Sequence, residues 1–89
     1  MKVQMVAVRN PHGLHARASA KIVKIASRFA CEIFIDLNGR RASARNILAV
    51  MLLSASLGSV VRLETNGPEE DRAMREMSAL FQNGFGERA

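Results

Sequence analysis

The sequence predicts an α+β fold, an open two-layer sandwich in which three helices cover one face of a mostly antiparallel four-stranded sheet. Three observations predict it: 89 residues suit one domain, segments of strand-like and helix-like apolar spacing alternate, and the connections between them are short. Strands joined by such short connections pair mostly antiparallel, and the helices must close the core on one face. The predicted order is β-α-β-β-α-β-α, in one domain over residues 1–89.

A strand and a helix are predicted to open the chain. Residues 2–8 form the strand, and Asn10-Pro11-His12-Gly13 ends it, because proline and glycine interrupt regular structure. The helix runs from Ala16 to about Ser27. Its apolar stripe comprises Ile22, Val23, Ala26 and Phe29.

A hairpin is predicted next. Residues 32–37 alternate, which places Ile33, Ile35 and Leu37 on one side of a strand. Asn38-Gly39 favours a type I′ turn, which needs positive φ at both central residues. Residues 40–44 form the polar return strand, at an edge of the sheet.

The second half is predicted to contain a short helix, a strand and a longer helix. Asn46 is a good N-cap for a helix over 47–53, and Gly58 closes that segment. Residues 60–65 alternate as a strand, with Val61 and Leu63 inward and Arg62 and Glu64 outward. Pro68 suits the first position of the last helix, and Gly84 suits its end. The apolar face of this helix comprises Ala73, Met74, Met77, Leu80 and Phe81.

The amino-acid composition argues against several classes of protein. With 48% hydrophobic residues the chain is not disordered, and its longest apolar run, 47–53, is far below the roughly 20 residues of a membrane span. The N-terminus lacks the apolar core of a signal peptide. Cys31 is the single cysteine, so no internal disulfide forms and a reducing compartment is expected. We therefore expect a cytoplasmic protein with no membrane association.

The segment Gly13-Leu14-His15-Ala16-Arg17 is the candidate for chemistry, because it places a histidine just before a helix. The first backbone amides of that helix, those of Ala16, Arg17 and Ala18, have no internal acceptors and favour an anion. Neutral imidazole is a nucleophile, the helix end disfavours the protonated ring, and Arg17 can contact a dianion. The spacing therefore fits a surface site that holds a phosphoryl group on His15, although a histidine in such a place is more often structural.

The same segment resembles the signature around the active histidine of the HPr family of phosphocarriers. The resemblance extends over residues 2 to about 85. It includes Asn38-Gly39, Ala42-Ser43-Ala44, the apolar helix at 47–53, Gly58 and Gly67-Pro68.

The resemblance implies that His15 is the phosphoacceptor, through Nδ1, and that Arg17 stabilises the phosphate. It also implies phosphoryl donation by enzyme I, a phosphoenolpyruvate-dependent kinase, and transfer to an EIIA-type protein. Such a protein is an intermediate in phosphoryl transfer and needs no metal or other cofactor. Residues 79–85 and 52–55 are more similar to the nitrogen-related NPr branch than to the sugar-transport HPr, which remains the alternative.

Two residues depart from the family pattern. The family usually has proline where this chain has Ala18, and loss of that proline costs about 0.4–1 kcal/mol through the entropy of the unfolded chain. Many members carry a regulatory serine where this chain has Asn46, so control by phosphorylation of that serine is expected to be absent.

A docking surface for acidic protein partners is predicted beside His15. Arg17, Lys21, Lys24 and Arg28 fall on one face of the first helix, although such a basic stripe is often merely solvated. By resemblance, the second helix would expose Ile47, Leu48 and Met51 next to it, while Leu52 and Leu53 would pack in the core. The predicted docking residues are Ala16, Ala20, Lys21, Lys24, Ile47, Leu48 and Met51.

Three other interpretations compete with the phosphocarrier. His12 and His15 could begin a metal site, but one cysteine and no further histidine leave it without its remaining ligands. The net charge of +5 could indicate a small RNA-binding domain, but four Phe and no Trp or Tyr make stacking on bases poor, so no nucleic-acid partner is expected. A regulatory relative without transfer activity would usually have lost His15. We expect a monomer.

Overall fold

The computed structural model describes residues 1–87 and has the predicted order of helices and strands, followed by one further helical turn. The strands are β1 (Lys2–Ala7), β2 (Glu32–Leu37), β3 (Arg40–Ser43) and β4 (Val60–Asn66). The helices are α1 (Ala16–Ala26), α2 (Ile47–Leu52) and α3 (Glu70–Gln82), and a 3-10 turn, η1, spans Gly84–Gly86. The last two residues of the predicted 1–89 domain lie outside the described part.

The four strands form one antiparallel sheet in the order β1-β4-β2-β3. Val6 lies opposite Val61, and Ile35 lies opposite both Leu63 and Ala42, so the apolar residues of neighbouring strands share one face. This register follows from the alternation of the sequence, since a slip of one residue would turn the apolar set to solvent. The return strand β3 is an edge, as predicted.

The three helices cover that apolar face. Helix α3 packs against β1 and β4, α1 packs against α2 and α3, and α2 reaches β3. Ile22, Ala26 and Phe29 of the predicted α1 stripe are buried, whereas Val23 is half-buried at its margin. The α+β sandwich predicted from the sequence is confirmed. No helix within residues 1–87 is long and apolar enough to cross a membrane.

Two local sequence signals act as predicted. Asn38 and Gly39 both have positive φ, 51° and 82°, which is the conformation that the hairpin turn between β2 and β3 needs. The side chain of Asn46 accepts a hydrogen bond from the amide of Ala49 at 3.1 Å and caps α2.

The start of α3 differs from the prediction. The helix begins at Glu70 and not at Pro68, because Gly67 (φ 124°) and Glu69 (φ 62°) leave the helical path. The carboxylate of Glu70 accepts a hydrogen bond from the amide of Gly67 at 3.0 Å, which stabilises this turn. Pro68 therefore belongs to the turn.

The prediction that Leu52 packs in the core is wrong. Leu52 is 73% exposed, whereas Leu53 is 3% exposed and packs inside as predicted. Helix α2 has six residues, and Val50 is the one within it that is buried. A helix this short offers a single side to the core, so its remaining apolar side chains face outward.

The face of the sheet opposite the helices carries a cluster of charges. Glu64 was predicted to point outward, and it does lie on this face, but it is 8% exposed because Arg41 and Arg62 cover it. Its carboxylate lies 2.8 Å from Arg41 and 2.9 Å from Arg62, and both arginines also reach Asp36 at 3.2 Å. The hydrogen bonds from the two guanidinium groups hold the pKa of Glu64 below its ordinary value.

Candidate functional site

His15 is the N-cap of α1 and not merely its neighbour. Its backbone is extended (φ −78°, ψ −175°), and its Nδ1 accepts a hydrogen bond of 3.3 Å from the amide of Arg17. An N-cap residue in this conformation directs its side chain over the first turn of the helix. The ring therefore lies against the amides at the start of α1, with 32% of the side chain exposed.

The loop before His15 is fixed by close backbone contacts. Gly13 has φ 63°, and a Cβ atom there would lie 2.3 Å from the carbonyl oxygen of Ala55, so this position requires glycine. The amide of Leu14 donates to the same carbonyl at 2.9 Å. The hydroxyl of Ser19 donates to the carbonyl of Leu14 at 3.1 Å and ties the loop back to the helix. The position of the imidazole is thus set by the segment that follows α2.

The other ring nitrogen faces a carboxylate from the far end of the chain. Nε2 of His15 lies 2.5 Å from Oε2 of Glu87, whose side chain is 8% exposed. The amide nitrogen of Asn10 lies 3.3 Å from each oxygen of that carboxylate. The hydrogen bond to His15, strengthened by that to Asn10, holds the pKa of Glu87 below its ordinary value despite partial desolvation.

These contacts determine where the neutral ring carries its proton. A neutral imidazole has one N–H donor and one lone pair. Nδ1 accepts from an amide and Nε2 faces a carboxylate, so the network assigns the proton to Nε2 and the lone pair to Nδ1. The lone pair of the neutral ring therefore lies on Nδ1, at the open end of the helix.

The surroundings of Nδ1 suit an anion. Within residues 1–87 the amides of Ala16 and Ala18 have no hydrogen-bond acceptor, and Arg17 forms no ion pair there. Ala16 and Arg17 border an open depression of about 860 Å³. Its lining residues are His12, His15, Ala16, Arg17, Lys21, Gly86 and Glu87. The predicted amides and Arg17 are thus brought together around His15, although Ala18 itself is fully buried.

The predicted basic stripe is divided between internal contacts and solvent, and its last member, Arg28, lies beyond the end of α1. Lys21 is half-buried and its Nζ donates to the carbonyl of Phe85, while Arg28 lies 3.3 Å from Glu76. Arg17 and Lys24 are exposed, and neither pairs with an acidic residue within the described chain. Of the four cations, Arg17 and Lys24 are therefore the ones most available to a partner.

The predicted apolar docking residues lie on the adjoining helix. Leu48 is 67% exposed and Ile47 is 38% exposed, while Met51 is half-buried. Helices α1 and α2 are in contact, and Ala16 and Ala20 on α1 are exposed. Sequence analysis did not include Leu52 and Leu57, which are 73% and 58% exposed and enlarge the apolar surface around α2.

Sequence analysis did not identify Glu87, Asn10 or the contact between Lys21 and Phe85. Asn10 was interpreted solely as part of a strand terminator. The Gly84-Phe85-Gly86 sequence was a usable signal, because a large apolar residue between two glycines indicates a tight turn anchored in the core. That the turn returns to His15 depends on the packing of α3, which local sequence does not specify.

The second histidine of the site, His12, contacts His15 edge to face. Their ring centroids lie 5.5 Å apart with planes inclined at 77°. Within residues 1–87 no group of three or more His, Cys, Asp or Glu side chains is placed to hold a metal ion. Cys31 is buried.

Comparison with known proteins relates the chain to phosphocarriers. A family model described as "PTS HPr component phosphorylation site" matches residues 2–83. The phosphocarrier protein HPr of Cupriavidus necator is 49% identical over 78 residues, which cover 88% of each chain.

Solved structures of related proteins have the same fold. The crystal structure of HPr-C-His from Thermoanaerobacter tengcongensis superposes with a TM-score of 0.95 at 34% identity and covers 100% of each chain. An HPr dimer from the same organism superposes with a TM-score of 0.78, also at 34% identity, and covers 98% of this chain and 100% of that one.

Proposed function

The chain belongs to the HPr family of phosphocarriers of the phosphotransferase system, and from that premise we propose that it accepts a phosphoryl group on Nδ1 of His15 and passes it to a second protein. The observation that carries the proposal is the orientation of this ring. Its Nε2 is held by Glu87, and its Nδ1 faces the amides that open α1.

Acceptance of the phosphoryl group follows from that orientation. The lone pair of Nδ1 forms a bond to phosphorus as the bond from phosphorus to the donor breaks, and the donor's leaving atom keeps its electron pair. The imidazole retains its Nε2 proton and gains a positive charge, which the Glu87 carboxylate at 2.5 Å stabilises. No proton has to leave the ring during the transfer.

The transferred group is stabilised by the start of α1. A phosphoryl group carries about −1.5 to −2 charges at neutral pH. The amides of Ala16, Arg17 and Ala18 and the guanidinium of Arg17 can donate to its oxygens, and the positive end of the helix favours its charge. The hydrogen bond that Nδ1 now accepts from the Arg17 amide would then pass to a phosphate oxygen.

Donor and acceptor are proteins in this proposal, since proteins of this family work with enzyme I and with EIIA-type proteins. An enzyme I-type kinase supplies the phosphoryl group, and an EIIA-type protein receives it. The docking surface proposed for both comprises the exposed apolar residues of α2 around Leu48 and the cations of α1. The shallow, open form of the depression supports direct transfer, because both partners must reach the same atom.

We assign the chain to a regulatory, nitrogen-type system, with the sugar-transport system as the alternative. The support is the similarity of residues 79–85, and more loosely of residues 52–55, to that branch. Control by phosphorylation at residue 46 is not part of the proposal, because the side chain of Asn46 caps α2 and has no hydroxyl to modify. We further propose that the protein acts as a monomer, although one relative is a dimer; size-exclusion chromatography with light scattering tests this.

The central experiment is labelling with phosphoenolpyruvate and the cognate enzyme I-type kinase. One acid-labile phosphate per chain is expected, and His15→Ala should abolish it without unfolding the protein. His12→Ala is the matched control, since His12 shares the depression but has no place in the transfer. Labelling that persists in His15→Ala would overturn the proposal. To distinguish the branches, transfer from the labelled protein is measured to purified nitrogen-type and sugar-type EIIA proteins.

A further inference from the structure

The side chain of Asn10 lies beneath the site and is 1% exposed. Its Nδ2 donates to the carbonyl of Gly13 at 2.7 Å and lies 3.3 Å from both carboxylate oxygens of Glu87. One N–H therefore binds the loop that precedes His15, and the other binds the carboxylate that faces Nε2 of His15. Asn10 thus links the two groups that orient the imidazole.

The orientation of the Asn10 amide follows from its partners. Gly13 presents a carbonyl and Glu87 a carboxylate, and both accept, so the NH₂ group must face them. The amide oxygen is buried and has no hydrogen-bond partner within residues 1–87. Buried polar atoms without partners are uncommon in folded proteins, and they concentrate where function imposes a side chain.

The segment that carries Glu87 is held in place independently. Phe85 is 1% exposed, and its ring centroid lies 4.9 Å from that of Phe81. It adopts φ 60°, a left-handed conformation that is unfavourable for an aromatic residue and is maintained here by its burial. Lys21 donates to the carbonyl of Phe85, and Gly84 packs over Asn10. The backbone of residues 84–87 is therefore held against Asn10 in one conformation, which places Glu87 next to the Asn10 side chain.

We propose that Asn10 is a positioning residue for phosphoryl transfer and acts through Glu87. This inference rests on the proposed function of His15. Asn10 holds the nearly buried carboxylate of Glu87 in line with Nε2, and so keeps the Nδ1 lone pair directed at the helix amides. Without the N–H that Asn10 donates, the carboxylate would turn toward water, and the imidazole would lose the contact that fixes its proton and its plane.

The test combines two readouts on Asn10→Ala, Glu87→Ala and the double variant. The first is the rate of phosphorylation by phosphoramidate, a small donor that needs no docking surface; its phosphorus–nitrogen bond breaks, ammonia leaves, and phosphorus bonds to Nδ1. The second is the low-field proton resonance of His15 Nε2–H, which a carboxylate 2.5 Å away protects from exchange with water.

We expect Asn10→Ala to slow phosphorylation by about tenfold and to abolish or broaden the Nε2–H resonance. In the Glu87→Ala background, Asn10→Ala should slow phosphorylation much less than in the wild type, since the contact with Glu87 is already lost and only that with Gly13 remains to be removed. A folded Asn10→Ala protein with the wild-type resonance, or an equal loss of rate in the two backgrounds, would overturn the proposal.

Two outcomes keep this inference separate from the proposed function. If Asn10→Ala does not fold, a wild-type Nε2–H resonance in Glu87→Ala alone overturns the inference, because Asn10 would then have nothing to act through. If the kinase fails to label the wild-type protein, the proposed function is wrong. The resonance test needs no kinase, so its result stands apart from that failure.

Discussion

Oε2 of Glu87 lies 2.5 Å from Nε2 of His15, across a separation of 72 residues. The imidazole proposed to accept the phosphoryl group therefore depends on both ends of the described chain. The start of α1 supplies the ring and the amides around it, and the turn after α3 supplies the carboxylate. Substitutions that loosen this turn, far from His15 in sequence, are expected to affect transfer.

Removal of the Arg17 guanidinium should slow phosphoryl transfer more than it affects folding. Arg17 is exposed and forms no ion pair within the described chain, so Arg17→Ala should change the free energy of unfolding by less than about 0.5 kcal/mol. Loss of a charged donor to the phosphate should slow labelling by about tenfold to a hundredfold. Arg9→Ala is the control, as another exposed arginine. Equal rates for Arg17→Ala and the wild type would exclude the proposed role.

Gly13→Ala should destabilise the protein strongly. A Cβ atom at φ 63° is strained and would lie 2.3 Å from the carbonyl oxygen of Ala55, so we expect a loss of roughly 2–4 kcal/mol in urea unfolding. Gly39→Ala is the matched control: Gly39 has φ 82° but open space around it, so it should cost only about 1–2 kcal/mol. Similar losses in the two variants would show that the contact with Ala55 adds nothing.

Leu48→Ala should weaken binding to the enzyme I-type kinase with little effect on folding. Leu48 is 67% exposed, so its truncation should change stability by about 0.5 kcal/mol or less. Leu53→Ala, in the next turn but 3% exposed, should instead cost about 2–5 kcal/mol. Calorimetric titration with the kinase and urea unfolding measure the two effects. Kinase affinity that is unchanged in Leu48→Ala would remove this residue from the proposed surface.

Charge reversal at Lys24 and charge reversal at Lys21 should have different effects on the stability of the fold. Lys24 is exposed, so its charge reversal should reduce the rate of association with an acidic kinase surface at low salt and leave stability nearly unchanged. Lys21 holds the carbonyl of Phe85, so its reversal should also loosen the segment that carries Glu87 and lower stability. A Lys24→Glu variant that associates at the wild-type rate in low salt would contradict the docking role of α1.

Acid should destabilise the fold below about pH 4. The arginines around Glu64, the amide of Gly67 beside Glu70 and the His15 contact of Glu87 lower the pKa values of these three carboxyls. A lowered folded-state pKa contributes stability that is present above the unfolded value of about 4.3 and is lost as the pH falls through the folded value. Urea midpoints should therefore drop in this acid range, and Glu64→Gln should reduce the drop. An equal acid loss in Glu64→Gln would exclude the charge cluster as its cause.

Much of the fold was predictable because local signals and tertiary packing agree. Alternation in β2 and β4, positive φ at Asn38 and Gly39, and the Asn46 cap all favour the elements that form. The prediction for Leu52 failed because burial of a short helix depends on its rotation against the core. That rotation is a property of packing and has no local signature.

The residues of the site also fall into two groups, those that one sequence motif brings together and those that meet only in the folded chain. His15, Arg17 and the amides of α1 are contiguous in sequence, so one motif was enough to bring them together. Glu87 and Asn10 reach the site through the path of α3 and η1, and their roles depend on distances between segments that are remote in the chain. The roles of such residues follow from the three-dimensional structure and not from a local sequence motif.

The charge cluster on the open face of the sheet has a consequence for encounter with other molecules. Its two arginines balance its two acids (Arg41 and Arg62 against Asp36 and Glu64), so it contributes no net charge, and the chain's excess of +5 resides elsewhere. Helix α1 carries three cations (Arg17, Lys21 and Lys24) and no acidic residue, so an acidic macromolecule diffusing nearby is attracted toward that helix before contact. Added salt would screen this attraction and lower the rate of association, with much less effect on the rate at which a formed complex dissociates.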